Sequence, residues 1–130
     1  MNRTVDSTVI EKLLSSYGDV INTSDVSRIL AFYTQDGILM PNGAPAAKGH
    51  EQLKKAYESL FKSFQLNVEY ITDEITVNGD YAFAKTHSKG NTLIHANGET
   101  IPVDNKELFV LHKENEQWKI SCYIFNNNNK

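Results

Sequence analysis

The sequence predicts an α+β domain in which helices come first and an antiparallel sheet follows. Apolar residues recur every three or four positions through the first half, and the period falls to two from Leu66 onward. Asn-Gly turn signals then separate the later segments. Helices followed by a meander of strands pack on one face of the sheet. At 130 residues the chain reads as one domain, 1–130, with ends expected to fray near 1–5 and 126–130.

The elements follow in order. Val9, Ile10, Leu13, Leu14, Tyr17 and Ile21 form one stripe on a helix from about Asp6 to Asn22, with Ser7 or Thr8 to cap it. Asn22-Thr23-Ser24 breaks that helix. Ser24 can cap a short second one carrying Val26, Ile29, Leu30 and Tyr33. The stretch YTQDGILMPNGAPAAKGHEQL, Tyr33 to Leu53, is rich in Pro and Gly; it reads as a short edge strand, Ile38 to Met40, and a loop, Pro41 to Gly49, that walls a pocket. A third helix, about His50 to Phe64, buries Leu53, Ala56, Tyr57, Leu60, Phe61 and Phe64. Lys54, Lys55, Glu58 and Lys62 face water.

LNVEYITDEITV, YAFAKTHSKGNTLIHA, ETIPVDNKELFVLHK and QWKISCYIF are the strands. Asn78-Gly79 and Asn97-Gly98 are two-residue hairpin signals, because both central positions of a type I′ turn need positive φ. Lys113 to Gln117 marks the third turn. Glu107, Phe109 and Leu111 alternate with Leu108 and Val110; Trp118, Ile120, Cys122 and Ile124 alternate with Ser121, Tyr123 and Phe125. A sheet with one face in water shows one polar face. Here both are apolar and only three helices exist to cover them, so a homodimer joined through the sheet is expected.

A formal net charge of −3 and scattered Lys and Arg leave no basic stripe for nucleic acid. No run of about 18 apolar residues suggests a membrane span. MNRTVDSTVIEK has no apolar signal core, and the lone Cys122 cannot form an internal disulfide, so a cytoplasmic protein with a structural thiol is expected. His50, His87, His95 and His112 are not paired at metal-ligand spacing, so no metal is expected. Neither GxGxxG, a P-loop nor GxSxG occurs, and no cofactor is expected.

YGDVINTSDVSRILAFYTQDGILM, the loop ending in KGHEQL, NGDYAFAKTHS and NKELFVLHKENEQWKISCYIFN together resemble the nuclear transport factor 2-like superfamily. Within it, the chain is most similar to SnoaL-like proteins and their ketosteroid isomerase relatives. The resemblance implies a cone-shaped barrel of three N-terminal helices on a strongly curved, mainly antiparallel sheet, a pocket open at one end, and a dimer. It does not fix a function, since the family mixes isomerases, cyclases, dehydratases and binding modules.

In ketosteroid isomerases a first-helix tyrosine donates a hydrogen bond to the developing oxyanion, a carboxylate after the second helix moves the proton, and a strand carboxylic acid is the second donor. On that pattern Tyr17 takes the tyrosine's place, five residues before Asn22 and eight before Asp25. The base position falls on Pro41, or on Met40 with a one-residue slip, and neither accepts a proton. Glu107 matches the strand acid in phase; in an apolar cavity its pKa would rise, making it a possible acid or base. Asp104 ranks below it because its spacing to Trp118 is too long. The alternatives stay open: Tyr17 as a core tyrosine, Glu107 as a rim residue paired with Lys or Arg.

The expected function is therefore binding of a small apolar or aromatic molecule in a pocket drawn from Tyr17, Phe32, Met40, Pro41, Tyr57, Phe61, Phe109, Tyr123 and Phe125. The alternative is a cofactor-independent isomerase, cyclase or hydratase acting on a steroid- or polyketide-like ligand, with Tyr17 and Glu107 catalytic.

Overall fold

The change of period is where the helices end and the long strands begin. In a computed structural model, which describes residues 2–128 (side chains from 5), α1 spans Asn2–Ile21, α2 Val26–Leu30 and α3 Gly49–Ser63. The strands are β1 (Tyr33–Met40), β2 (Ala47–Lys48), β3 (Phe64–Asn78), β4 (Tyr81–Ile94), β5 (Thr100–Glu114) and β6 (Gln117–Asn127). They form one sheet in the order β2-β1-β6-β5-β4-β3, antiparallel except where β1 runs parallel to β6.

α1 buries Ile10, Leu14, Tyr17, Val20 and Ile21, the spacing of one helical stripe. Its end is fastened by Asn22, whose amide donates to the Val68 carbonyl and accepts from the Val68 N–H, both at 2.9 Å. The asparagine thus offers β3 the donor and acceptor of a missing neighbouring strand. Asp25, rather than Ser24, caps α2 by accepting from Arg28 N–H. Ser24 sits at φ 62°, the left-handed turn between the helices. Tyr33, expected on the second helix, instead opens β1.

β1 is longer than the expected Ile38–Met40 strand and is not the edge. The two-residue β2 takes the edge, pairing Ala47 and Lys48 with Leu39 and Ile38. The turns also differ from expectation. Asn78 pairs with Tyr81, so Gly79 and Asp80 make the first turn, and of these only Gly79 has positive φ. The Asn97-Gly98 signal lies in a longer loop between Ile94 and Thr100, where only Gly98 is positive. Both central φ are positive at Asn115-Glu116, as a type I′ turn requires. Gly90 is obligatory: at φ 148° a Cβ would lie 2.1 Å from the Asn67 carbonyl oxygen.

Ala82, Ala84, Thr86 and Ser88 of β4, and Glu107, Phe109 and Leu111 of β5, form the face buried beneath the helices. On β6 the expected alternation fails at a bulge. Leu111 pairs with Ile120 and Val110 with Cys122, leaving Ser121 extra. Tyr123 is therefore buried with Trp118 and Ile120, whereas Ile124 is turned out. The opposite face carries an apolar row in register across three strands, Met40–Ile124–Leu108, 37, 41 and 37% exposed, next to a half-exposed Phe83. β6 stays ordered through Asn127, and Asn128 donates to Asp104; residues 129 and 130, part of the tail expected to fray, lie outside the described residues.

Candidate functional site

The buried face is arranged in three layers. The deepest is a cluster of phenols. Tyr17 from α1 and Tyr33 from β1 each share a hydrogen bond with the hydroxyl of Tyr57 on α3, at 2.6 and 2.7 Å. The Tyr17 ring meets Phe32, Tyr70, Phe109 and Tyr123 edge-on, with centroids 5.6 to 6.0 Å apart. Such a cage is worth about 0.5–1.5 kcal/mol per aromatic pair beyond area burial. Burial pushes the Tyr57 hydroxyl up to about 12, and burial together with neighbouring phenols drives Tyr17 and Tyr33 well above 10. All three stay neutral at physiological pH.

Above it lies a polar layer. Tyr70 and Tyr123 share a hydrogen bond of 2.9 Å. Glu107, only 5% exposed, accepts at one oxygen from Thr86 and at the other from Ser88, both at 2.5 Å. Burial raises the Glu107 carboxyl above its ordinary 4.5, and the two hydroxyls pull it back. The carboxylate in turn helps burial raise Tyr70 and Tyr123, so it lies within electrostatic reach of both. Tyr17 answers to the other phenols, and its hydroxyl is engaged by Tyr57 rather than by Glu107.

The outer layer is a hollow of about 430 Å³ lined by Leu60, Phe64, Leu66, Val103, Asn105 and Phe125, among others. One inward step along β5 leads from Asn105 to Glu107, along β6 from Phe125 to Tyr123. Of the residues expected to line a pocket, Tyr17, Tyr57, Phe109 and Tyr123 are fully buried; Phe61 stacks on Tyr57, and Phe125 is at the hollow. Phe32 reaches Tyr17 with its ring edge and also borders a second hollow beside Val9, Leu13 and Trp118. Pro41 is half-buried just past the end of β1. Met40 departs from expectation: strand alternation puts it opposite the buried Leu39, on the exposed face beside Ile124.

The other candidates are elsewhere. His87 shares a 2.8 Å hydrogen bond with Asp73 on the exposed face, His112 stacks on Tyr81, and His50 contacts the Thr34 carbonyl. Burial raises the Cys122 thiol. Among the described residues no group of three His, Cys, Asp or Glu could hold a metal ion, and no helix is long and apolar enough to cross a membrane.

A model of the SnoaL-like domain matches residues 14–120. The chain belongs to the SnoaL-like family. The crystal structure of a ketosteroid isomerase-like protein from Erwinia carotovora atroseptica superposes on this SnoaL-like chain with a TM-score of 0.89 and 30% identity, over 95% of this chain and 96% of that one. A candidate aromatic ring hydroxylase from Novosphingobium aromaticivorans gives 0.85 at 17% identity, over 98% and 92% of the two chains. A candidate scytalone dehydratase from the same organism gives 0.84 at 15%, over 97% and 86%. These last two share the fold. No curated protein matches the chain.

Sequence reasoning overlooked Tyr33, Tyr70 and the two hydroxyls on Glu107. The hydroxyls had a signal, because Thr86 and Ser88 share the small-residue face of β4. Only the β4–β5 register, which pairs Thr86 with Glu107, makes that signal legible.

Proposed function

We propose that this SnoaL-like domain binds a small, planar, mainly apolar molecule, entering through the hollow at Leu66, Val103 and Phe125 and reaching toward Glu107 and Tyr123. The supporting observation is adjacency: an apolar hollow of about 430 Å³, within the usual size of ligand pockets, is bordered by Asn105 and Phe125, two residues along β5 and β6 from the buried Glu107 and Tyr123 on the same face. The cone of sheet and helices implied by the family forms the wall. A second copy covers the apolar row Met40–Ile124–Leu108, and the protein works in the cytoplasm. Thermal-shift screening with steroids and aromatic polyketides tests the ligand reading. A ligand at about 100 times its Kd should add roughly 2.7 kcal/mol, a rise of several degrees. A flat response across a broad panel would count against it.

The second reading is a cofactor-independent isomerase, cyclase or hydratase with Tyr17 as donor and Glu107 as acid or base. The buried Glu107 and the phenol cluster favour it; Pro41 in place of the isomerase base weighs against the ketosteroid reaction itself. Turnover that survives both Tyr17→Phe and Glu107→Gln would exclude these roles.

A further inference from the structure

We propose that Thr86 and Ser88 are positioning residues that hold Glu107 as a fixed carboxylate acceptor, so that the pocket selects neutral planar molecules with an O–H or N–H donor and turns away anions. This rests on the ligand-binding reading above and narrows it to a chemical class.

The geometry matches an ionised carboxyl. Thr86 is the register partner of Glu107, and Ser88, two residues on, shares its inward face. Each hydroxyl serves a different carboxylate oxygen at 2.5 Å, the length of an O–H···O⁻ bond. A carboxylate only accepts, and two hydroxyls that both donate suit it. A protonated Glu107 would keep both bonds only with its proton on a remaining lone-pair site, where no described residue offers it a hydrogen-bond acceptor. The clamp thus opposes the desolvation that burial imposes on the charge.

It also fixes direction. Two lone-pair sites are taken by the hydroxyls, so further acceptance is available only in directions the clamp leaves open. The groups around Glu107 do not cancel its charge from the pocket side. Tyr70 on β3 and Tyr123 on β6 are neutral phenols, and α1 and α3 bring Tyr17 and Tyr57, also neutral. The charged neighbours Asp73, Lys85, His87, Asp104 and Lys106 gather at a separate hollow that Thr86 and Glu107 also border, where His87 pairs with Asp73 and Lys85 with Glu74. A ligand that penetrates past Asn105 and Phe125 meets one buried negative charge. A hydroxyl or N–H there gains a charge-assisted hydrogen bond, whereas a carboxylate or phosphate is repelled.

The clamp is tested without any ligand by carbon-13 NMR of the full chain labelled at glutamate side-chain carboxyls, with Glu107 assigned through Glu107→Gln. Glu107 is expected to be ionised at pH 7. Ser88→Ala and Thr86→Val should each raise its titration midpoint by about one pH unit, the size of one hydrogen bond to a charged group. Ser88→Thr and Thr86→Ser, which keep a hydroxyl, should stay close to wild type. A Glu107 protonated at neutral pH in the wild type overturns the clamp, as does a midpoint that neither hydroxyl deletion moves. Selectivity is read by titrating the wild type with 2-naphthol, 2-methoxynaphthalene and 2-naphthoate. Naphthol should bind about tenfold more tightly than its methyl ether, a difference on the scale of one hydrogen bond. Naphthoate should bind measurably only to Glu107→Gln. Equal binding of naphthol and naphthoate by the wild type overturns the selectivity. If none of the three binds, the ligand reading and the selectivity fall together, while the NMR midpoints still decide the clamp.

Discussion

β4 carries two polar clusters back to back, the inner one shared with β5 and the outer one with β3. Inside, Glu107 is 5% exposed and closed by two hydroxyls. Outside, His87 pairs with Asp73, and Lys85 lies 3.5 Å from Glu74, all reached by water. The chemistry is similar and the energetics are not. Solvent screens the outer pairs and offers each partner a substitute, so they contribute about 0–1 kcal/mol. No substitute exists inside, so each group there must find its partner in the protein. Placement relative to the sheet, more than residue type, decides which polar residues can matter to a site.

The same contrast holds for apolar residues, and there the expected effect is largest. Phe109 is fully buried and stacks on Tyr123 with centroids 4.2 Å apart, whereas Phe83 is 38% exposed on the opposite face. Phe109→Ala should cost about 3–5 kcal/mol by denaturant unfolding, because it opens a cavity among rings held by α1, β3 and β6. Phe83→Ala should cost about 1 kcal/mol or less in the monomer. If a dimer buries that face, Phe83→Ala and Leu108→Glu should shift sedimentation toward the monomer, and Phe109→Ala should not. Equal costs for Phe109 and Phe83 would break the comparison of faces.

A smaller effect comes from the inner carboxyl alone. Burial raises Glu107 above its ordinary 4.5, so the folded state binds that proton more tightly than the unfolded chain does. Its contribution to stability is fully present below 4.5 and is lost as pH rises through the folded value. From neutral pH down to 4.5, the wild type should therefore gain stability relative to Glu107→Gln, which has no such proton to bind. Parallel stability curves for the two proteins over that window would mean that Glu107 is not desolvated.

Much of the fold was legible because it follows from period. The stripe of α1, the amphipathic α3 and the inward row Glu107–Phe109–Leu111 each repeat often enough to be read from the chain. The features that failed are single events with no repeat behind them. One extra residue at Ser121 broke the strict alternation of β6, so that Trp118 and Ile120 share their face with Tyr123 rather than with Cys122 and Ile124. Met40 was misplaced because the position of β1 beside β6 depends on a parallel pairing of segments far apart in sequence. The site suffered most, since its partners meet only in three dimensions. Tyr57 joins Tyr17 and Tyr33 from three separate elements, and Glu107 meets Thr86 and Ser88 only through strand register.

The smallest expected effect crosses the sheet and tests whether the two faces are independent. Burial is the main influence on the Glu107 carboxyl and its two hydroxyl partners come next; beyond these, His87 pulls it down and Asp73 pushes it up. The outer pair is a weak electrostatic neighbour of the inner clamp through the thickness of one sheet. Replacing His87 by Ala should raise the Glu107 midpoint slightly, and Asp73→Asn should lower it, each by less than removal of either hydroxyl. The two shifts must have opposite signs, because the substitutions remove opposite charges. They should also shrink in high salt, since the pair is open to solvent and the hydroxyl clamp is not. If both substitutions move Glu107 in the same direction, the coupling is structural, through the bulge at Asp73, and the two faces are not electrostatic neighbours.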